Sequence, residues 1–178
     1  MARQKMNKQA LLSDLADHVL EYGLNNASLR PMAAAAGTSD RMLIYHFGSK
    51  DALIVSLLEH LAARMEVGLD AALPAERLET EGALIARVME QMRSKAFQPY
   101  TRVWLEIIAA AAQGNDAHLK AGRAIIDLYL NWLSVRHPEG AAGAAKALTI
   151  IEGCLVMDAV GQERLVDMLC DTDGRSEY

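Results

Sequence analysis

The chain has 178 residues, 52% hydrophobic and 23% charged, which is enough apolar side chain to bury a core and excludes disorder for most of its length. A formal net charge of −5 argues against a protein that coats nucleic acid by charge alone. The charge is unevenly spread: residues 1–50 hold six Lys/Arg against four Asp/Glu, or +2, and residues 51–178 hold twelve against nineteen, or −7.

In chain order, the apolar spacing predicts helices and nothing else. Leu11, Leu12, Leu15, Ala16, Val19 and Leu20 recur at helical spacing over about residues 8–22, and Gly23 stops that helix. Ser28 is a candidate N-cap for a short helix ending near Ala36, with Pro31 in the first turn, where a missing N–H costs nothing. Gly37 and Thr38 form a turn, and Ser39 caps a third helix running to Phe47. Gly48 ends it, and Ser49 caps a long fourth helix over about 49–73, broken by Pro74. Further helices are predicted at about 79–96, 99–113, 116–137, 139–160 and 162–170, with Asp171 to Tyr178 frayed. Period-2 alternation and hairpin turns are absent, so the fold class is all-α, about nine helices.

Other classes fall away on composition. No apolar run approaches the roughly 18 residues that span a bilayer. The polar, basic start MARQKMNKQA does not read as a signal peptide. Two cysteines, Cys154 and Cys170, form no C-x-x-C motif, so a reducing compartment without a disulfide framework is expected. Cytoplasmic location follows as an expectation, with no membrane partner. His18, His60, His118 and His137 lack metal spacing. No nucleophile elbow or glycine-rich phosphate loop occurs, so no cofactor, metal or catalytic residue is expected. Glu152 and Asp158, six apart on one helix, read as solvated or interfacial rather than catalytic.

Residues 28–50 carry the strongest pattern. Two short helices joined at Gly37-Thr38-Ser39 form a helix-turn-helix. Ala33 to Ala36 let the helices cross closely, and Gly37 supplies the positive backbone angle of the turn. Leu43 and Phe47, at i and i+4, face inward. Thr38, Ser39, Arg41, Met42 and Tyr45 are left outside. The N-terminal part of such a second helix enters the major groove. There Arg41 suits guanine O6 and N7, and Met42 suits a thymine methyl.

The segment resembles the TetR family of bacterial transcriptional regulators. The residues that carry this are Ser28-Leu29-Arg30-Pro31-Met32-Ala33, Ala36-Gly37-Thr38-Ser39 and Leu43-Ile44-Tyr45-His46-Phe47-Gly48-Ser49-Lys50-Asp51-Ala52-Leu53. The resemblance implies phosphate contacts at Tyr45, His46 and Lys50. Lys50 also stands at a helix N-terminus, which favours an anion. Ser28 and Arg30 are placed to clamp a further phosphate, and Arg3, Lys5 and Lys8 form a basic tail. Three positions depart from the family pattern. Ile44 replaces a usual tyrosine, whose contact Tyr45 would take over. Arg41 stands where a small residue is common, and Asp40 replaces a frequent lysine.

The chain thus divides into a helix-turn-helix domain, residues 1–50, and a body, residues 51–178, with the fourth helix shared. The resemblance makes the body a ligand-sensing and dimerising domain. Its methionines and aromatics nominate Met89, Trp104, Glu106, Tyr129 and Asn131 as walls of a pocket for an apolar small molecule, ordinary core being the competing reading. Gly140 to Ala145, with Leu148, Ile151, Leu155, Val156, Leu165 and Leu169, nominate a dimer surface, against packing within one subunit. The expected protein is a homodimeric regulator that binds a pseudo-palindromic double-stranded operator and, as a repressor, is released by the effector. The alternative is a helical ligand-binding or sequestering protein with a degenerate DNA-binding head.

Overall fold

The computed structural model describes residues 7–73 and 75–170, and the backbone of 171–173. Among the described residues there are nine helices and no strand: α1 (Lys8–Tyr22), α2 (Leu29–Ala35), α3 (Asp40–Phe47), α4 (Lys50–Ala72), α5 (Glu81–Met92), α6 (Gln98–Ala112), α7 (Asp116–Arg136), α8 (Ala141–Ala159) and α9 (Glu163–Asp173). The expected all-α architecture holds, with small shifts at the ends. α5 is shorter than predicted because Thr80 Oγ1 accepts the Ala83 N–H at 3.1 Å and starts the helix late. Turns at Ser94 and Phe97, bonded back to Gln91 and Ser94, then end it early. α9 outlasts its predicted end at 170. Arg3, Lys5, Pro74 and residues 174–178 lie outside the described residues.

The chain forms two compact units, Met1–Arg64 with Arg102–Ile125, and Met65–Thr101 with Ile126–Tyr178. Three helices, α4, α6 and α7, contribute residues to both. In the first unit, Leu11, Leu15, Ala16 and Val19 of α1 are buried with Met32, Ala33, Leu43 and the α4 residues Leu53, Ile54, Leu57 and Leu58. Arg64 donates to Asp17 at 2.8 Å and ties α4 to α1. Of the four alanines expected at the α2 crossing, Ala33 and Ala36 are buried while Ala34 and Ala35 face solvent. A 3.6-residue period cannot turn four successive side chains to one face.

In the second unit, α5, α8 and α9 pack on one another. A buried cation closes the end of α4. Arg136, 3% exposed, donates through Nε and Nη2 to the Leu73 carbonyl at 3.1 and 3.0 Å. It also donates to Asp70 at 2.6 Å and stacks over the Trp132 ring at 3.8 Å. Trp132 Nε1 donates to the same Asp70 oxygen at 2.7 Å. Trp132 is therefore a core anchor, and the buried charge is paired as burial requires.

Part of the surface nominated for dimer contact is interior. Gly143, Ala144, Leu148, Ile151 and Leu155 are buried within the unit, whereas Ala141, Ala142, Ala145, Val156, Leu165 and Leu169 are exposed. Gly143 is small because His137 occupies the space where its Cβ would be. That ring is buried. Its Nδ1 accepts the Glu139 N–H at 3.0 Å, so Nε2 carries the proton and donates to Glu81 at 3.2 Å. Asp158, expected to be solvated or interfacial, is instead held by Arg93 through two bonds of 2.7 and 2.8 Å.

Gly143→Ala should lower stability by about 1–3 kcal/mol, the usual cost of overpacking a filled site, as read by thermal or urea denaturation. The second expectation concerns acid. Lys146, 2.6 Å from Glu81, holds that carboxyl below its ordinary value of 4.5, with His137 helping and burial opposing. A depressed folded value means that the pair's contribution is complete above 4.5 and fades as pH falls below it. Glu81→Gln should therefore flatten the loss of stability between about pH 5 and pH 3 in urea titrations; an unchanged slope would refute the role of this pair.

Candidate nucleic-acid interface

The turn between α2 and α3 is built from backbone bonds. Gly37 has φ +59°. Its N–H bonds the Ala34 carbonyl at 3.1 Å, and the Thr38 N–H bonds that of Ala33 at 2.8 Å. This is a Schellman closure, which places a left-handed residue just past the helix end. Ser39 then caps α3, its Oγ accepting the Met42 N–H at 3.3 Å. Leu43 and Phe47 are buried on the inner face, and the Lys8 ammonium lies 4.8 Å over the Phe47 ring. The outer face carries the exposed Ser39, Asp40, Arg41, Met42 and Tyr45, with Thr38 half-buried beside them. Tyr45 is 77% exposed, a large aromatic that nothing in the head covers. Ile44, where the family usually has tyrosine, is half-buried.

The flanking candidates sit on the ends of α2 and α4. Ser28 precedes α2 in extended conformation but makes no capping side-chain bond, so the expected cap is not formed. Its carbonyl instead accepts the Met32 N–H at 3.2 Å. Ser28 and Arg30 are both exposed. Ser49 does cap α4, accepting the Ala52 N–H at 3.1 Å. Lys50 is therefore the first residue of α4 and is exposed, where the unpaired N–H groups of the helix start add to its positive field. Burial lowers the pKa of His118 of α7, with Asp51 opposing and Lys50 adding to the shift. His46 is half-buried, its ring meeting Tyr45 edge-on at 5.4 Å. Its Nε2 is buried with no hydrogen-bond partner among the described residues.

Sequence reasoning missed how the α1–α2 connection is held. Arg102 of α6 donates to the carbonyls of Leu20 and Glu21 at the end of α1. Glu106, one turn on, accepts the N–H groups of Leu24 and Asn25. The i, i+4 spacing of Arg102 and Glu106 was the sole signal, and it says nothing about which distant carbonyls they meet. Glu106, nominated as a pocket wall, thus has its carboxylate engaged inside the first unit. Trp104 of the same unit is half-buried. In the second unit Met89 is buried, Asn131 is exposed, and Tyr129 is half-buried. Burial raises the pKa of the Tyr129 phenol, with Glu66, Tyr100 and Glu152 acting the same way.

Residues 14–57, the span that holds this turn and both its helices, match the model of the bacterial regulatory proteins of the tetR family. The helix-turn-helix segment is thus similar to that of the tetR family. Among curated relatives, an HTH-type transcriptional repressor of Mycobacterium tuberculosis is 30% identical over 84 residues. An HTH-type transcriptional regulator of Mycobacterium bovis matches equally well. The matched stretch spans 45% of this chain and 45% of those relatives. Two solved structures share the whole fold. One is a transcriptional regulator from Rhodococcus, TM-score 0.67 and 22% identity over 93% of each chain. The other is the multidrug binding protein EbrR complexed with imidazole, TM-score 0.61 and 19% identity, covering 95% of this chain and 96% of that one. The segment that matches the tetR model thus lies in a chain that shares its overall fold with these two structures. Among the described residues no helix is long and apolar enough to cross a membrane.

The two serines of the motif separate capping from surface. Ser39→Ala should destabilise the chain by about 1 kcal/mol through the lost cap. Ser28→Ala, with no cap to lose, should leave the melting temperature unchanged. Equal shifts in thermal denaturation would contradict this division.

Proposed function

We propose that the protein is a site-specific DNA-binding transcriptional regulator, a repressor whose hold on its operator is released by a small molecule. The observation that carries this reading is the outer face of α3. A rigid Gly37 turn and a Ser39 cap present Thr38, Ser39, Arg41, Met42 and Tyr45 together, with Lys50 at the start of α4. Arg41 and Met42 read base edges, while Ser28, Arg30, Tyr45, His46 and Lys50 fix the register on phosphates. Lys8, held over Phe47, adds charge on the same domain. Tyr45 takes the backbone contact that Ile44 has given up. The mycobacterial relative is known as a repressor, which supports the sign of regulation.

A second copy of the chain is part of this reading. Val156, Met157 and Val160 of α8 and its end, and Leu165, Met168 and Leu169 of α9, are exposed apolar side chains on adjoining helices, a surface suited to a two-fold partner. Two recognition helices set roughly 34–36 Å apart match a pseudo-palindrome with half-sites one turn apart. The body senses the effector, with Met89, Tyr129 and Asn131 of the second unit the nominated positions. The neighbour described as a multidrug binding protein supports an apolar small molecule as the ligand. Release follows if the effector favours one arrangement of the body and α4, common to both units, carries the change to the head.

Band-shift titrations against DNA upstream of the chain's own gene, at several salt concentrations, test the reading. A sequence-preferring, salt-sensitive complex is expected, and its absence overturns the proposal. Arg41→Ala should cost about 1–3 kcal/mol on the preferred site and relax base preference there. Lys50→Ala should weaken all sequences alike and reduce the salt slope by about one.

A further inference from the structure

The two cysteines of the body stand on consecutive helices. Cys154 lies on α8 and is buried, Cys170 lies on α9 and is half-buried. Neither is in a disulfide. Their relation is set by Arg93 of α5. Its guanidinium grips Asp158 of α8 with two bonds of 2.7 and 2.8 Å, meets Asp167 of α9 at 2.7 Å and reaches the Glu163 carbonyl at 3.4 Å. One planar group thus pins Asp158 and Asp167 together, across a connection of three residues, Val160 to Gln162. The chain folds back on itself there.

Moving one turn away from that connection, Asp158 leads to Cys154 on α8 and Asp167 leads to Cys170 on α9. Spacings of four and three residues keep each cysteine on the face of its aspartate. The steps along the two axes are about 6 Å and about 4.5 Å, so each cysteine lies about one turn beyond the aspartate that Arg93 holds. Cys154 points inward with Ile151 and Leu155, and Val166 of α9 is buried in the same unit. Cys170, four residues after the buried Val166, lies on the same face of α9, and α9 packs on α8. Burial pushes the Cys154 thiol up, and the charge of Cys170 adds to it.

We propose that Cys154 and Cys170 form an oxidisable dithiol, whose closure to a disulfide staples α9 to α8. With hydrogen peroxide as the oxidant, the more accessible Cys170 thiolate attacks a peroxide oxygen. The O–O bond breaks, one water is released, and Cys170 becomes a sulfenic acid. Cys154 then loses its proton and attacks the Cys170 sulfur. The S–O bond breaks and the second water leaves. Two thiols and one peroxide give one disulfide and two waters: the sulfurs are oxidised by two electrons and the peroxide is reduced by two. A buried thiol with a raised pKa is a poor first target but a well-placed resolving group. Such a pair remains reduced under thiol buffering and closes transiently under oxidant.

The experiment treats the reduced full-length chain with hydrogen peroxide, blocks remaining thiols by alkylation, and reads intact and peptide masses. The expected product is two hydrogens lighter, unalkylated, linked from Cys154 to Cys170 within one chain, and reversed by dithiothreitol. In Cys154→Ser, Cys170 should accumulate as a sulfenic acid trapped by dimedone. In Cys170→Ser, the remaining thiol should react at least about tenfold more slowly. Hydrogen exchange across α9 should slow in the oxidised wild-type chain and stay unchanged in Cys154→Ser. Independent sulfenic or sulfinic acids on the folded wild-type chain, or disulfides formed only between chains, overturn the proposal. No arm uses DNA, so the outcome is separate from the regulatory reading.

Discussion

The head depends on one backbone constraint, the left-handed turn at Gly37. A residue with a Cβ pays a steric penalty in that region of backbone space, and here the turn also closes two hydrogen bonds onto Ala33 and Ala34. Once φ is positive at that one position, α2 must end and α3 must start on the far side of Ser39. Leu43 and Phe47 then fall on the covered face, and Tyr45 and Arg41 fall on the open one. A surface able to meet a groove is thus a by-product of where the buried side chains had to go.

The body is governed by charges in confined places rather than by aromatic packing alone. Arg136 serves as the closing group of α4, consuming the Leu73 carbonyl, the Asp70 carboxylate and the Trp132 face at once. Arg93 does the same for the end of α8 and the start of α9. In each case a guanidinium meets groups from two helices, because its five donors lie in one rigid plane that can serve several acceptors. These pairs sit where helices end, and a helix end is where unpaired carbonyls accumulate. The His137–Gly143 contact follows the same logic. A buried ring with both nitrogens satisfied leaves no room for a methyl on the next helix.

These arrangements mark the border of what could be read without a fold. All nine helices were legible, since apolar period, caps and glycine stops are local signals that each act within a turn or two. So was the division of α3 into a buried and an open face, which needs only the i, i+4 rule. The serine caps illustrate the limit of local inference: Ser39 and Ser49 form their bonds, while Ser28, with the same residue type at the same kind of position, does not. The Gly140–Ala145 stretch shows it again. Small residues announce a close approach, but Gly143 and Ala144 face their own unit while Ala141, Ala142 and Ala145 face solvent.

By itself the sequence determined the helical class, the order of the elements, the helix-turn-helix and the residues on its outer face, because these follow from backbone preferences and from periodicity within single helices. Only the tertiary structure decided that Glu106 holds the α1–α2 connection, that Arg136 closes α4, and that Arg93 joins Asp158 to Asp167. Partners tens of residues apart are chosen by packing, and packing is a property of the whole unit that no local pattern of residues encodes.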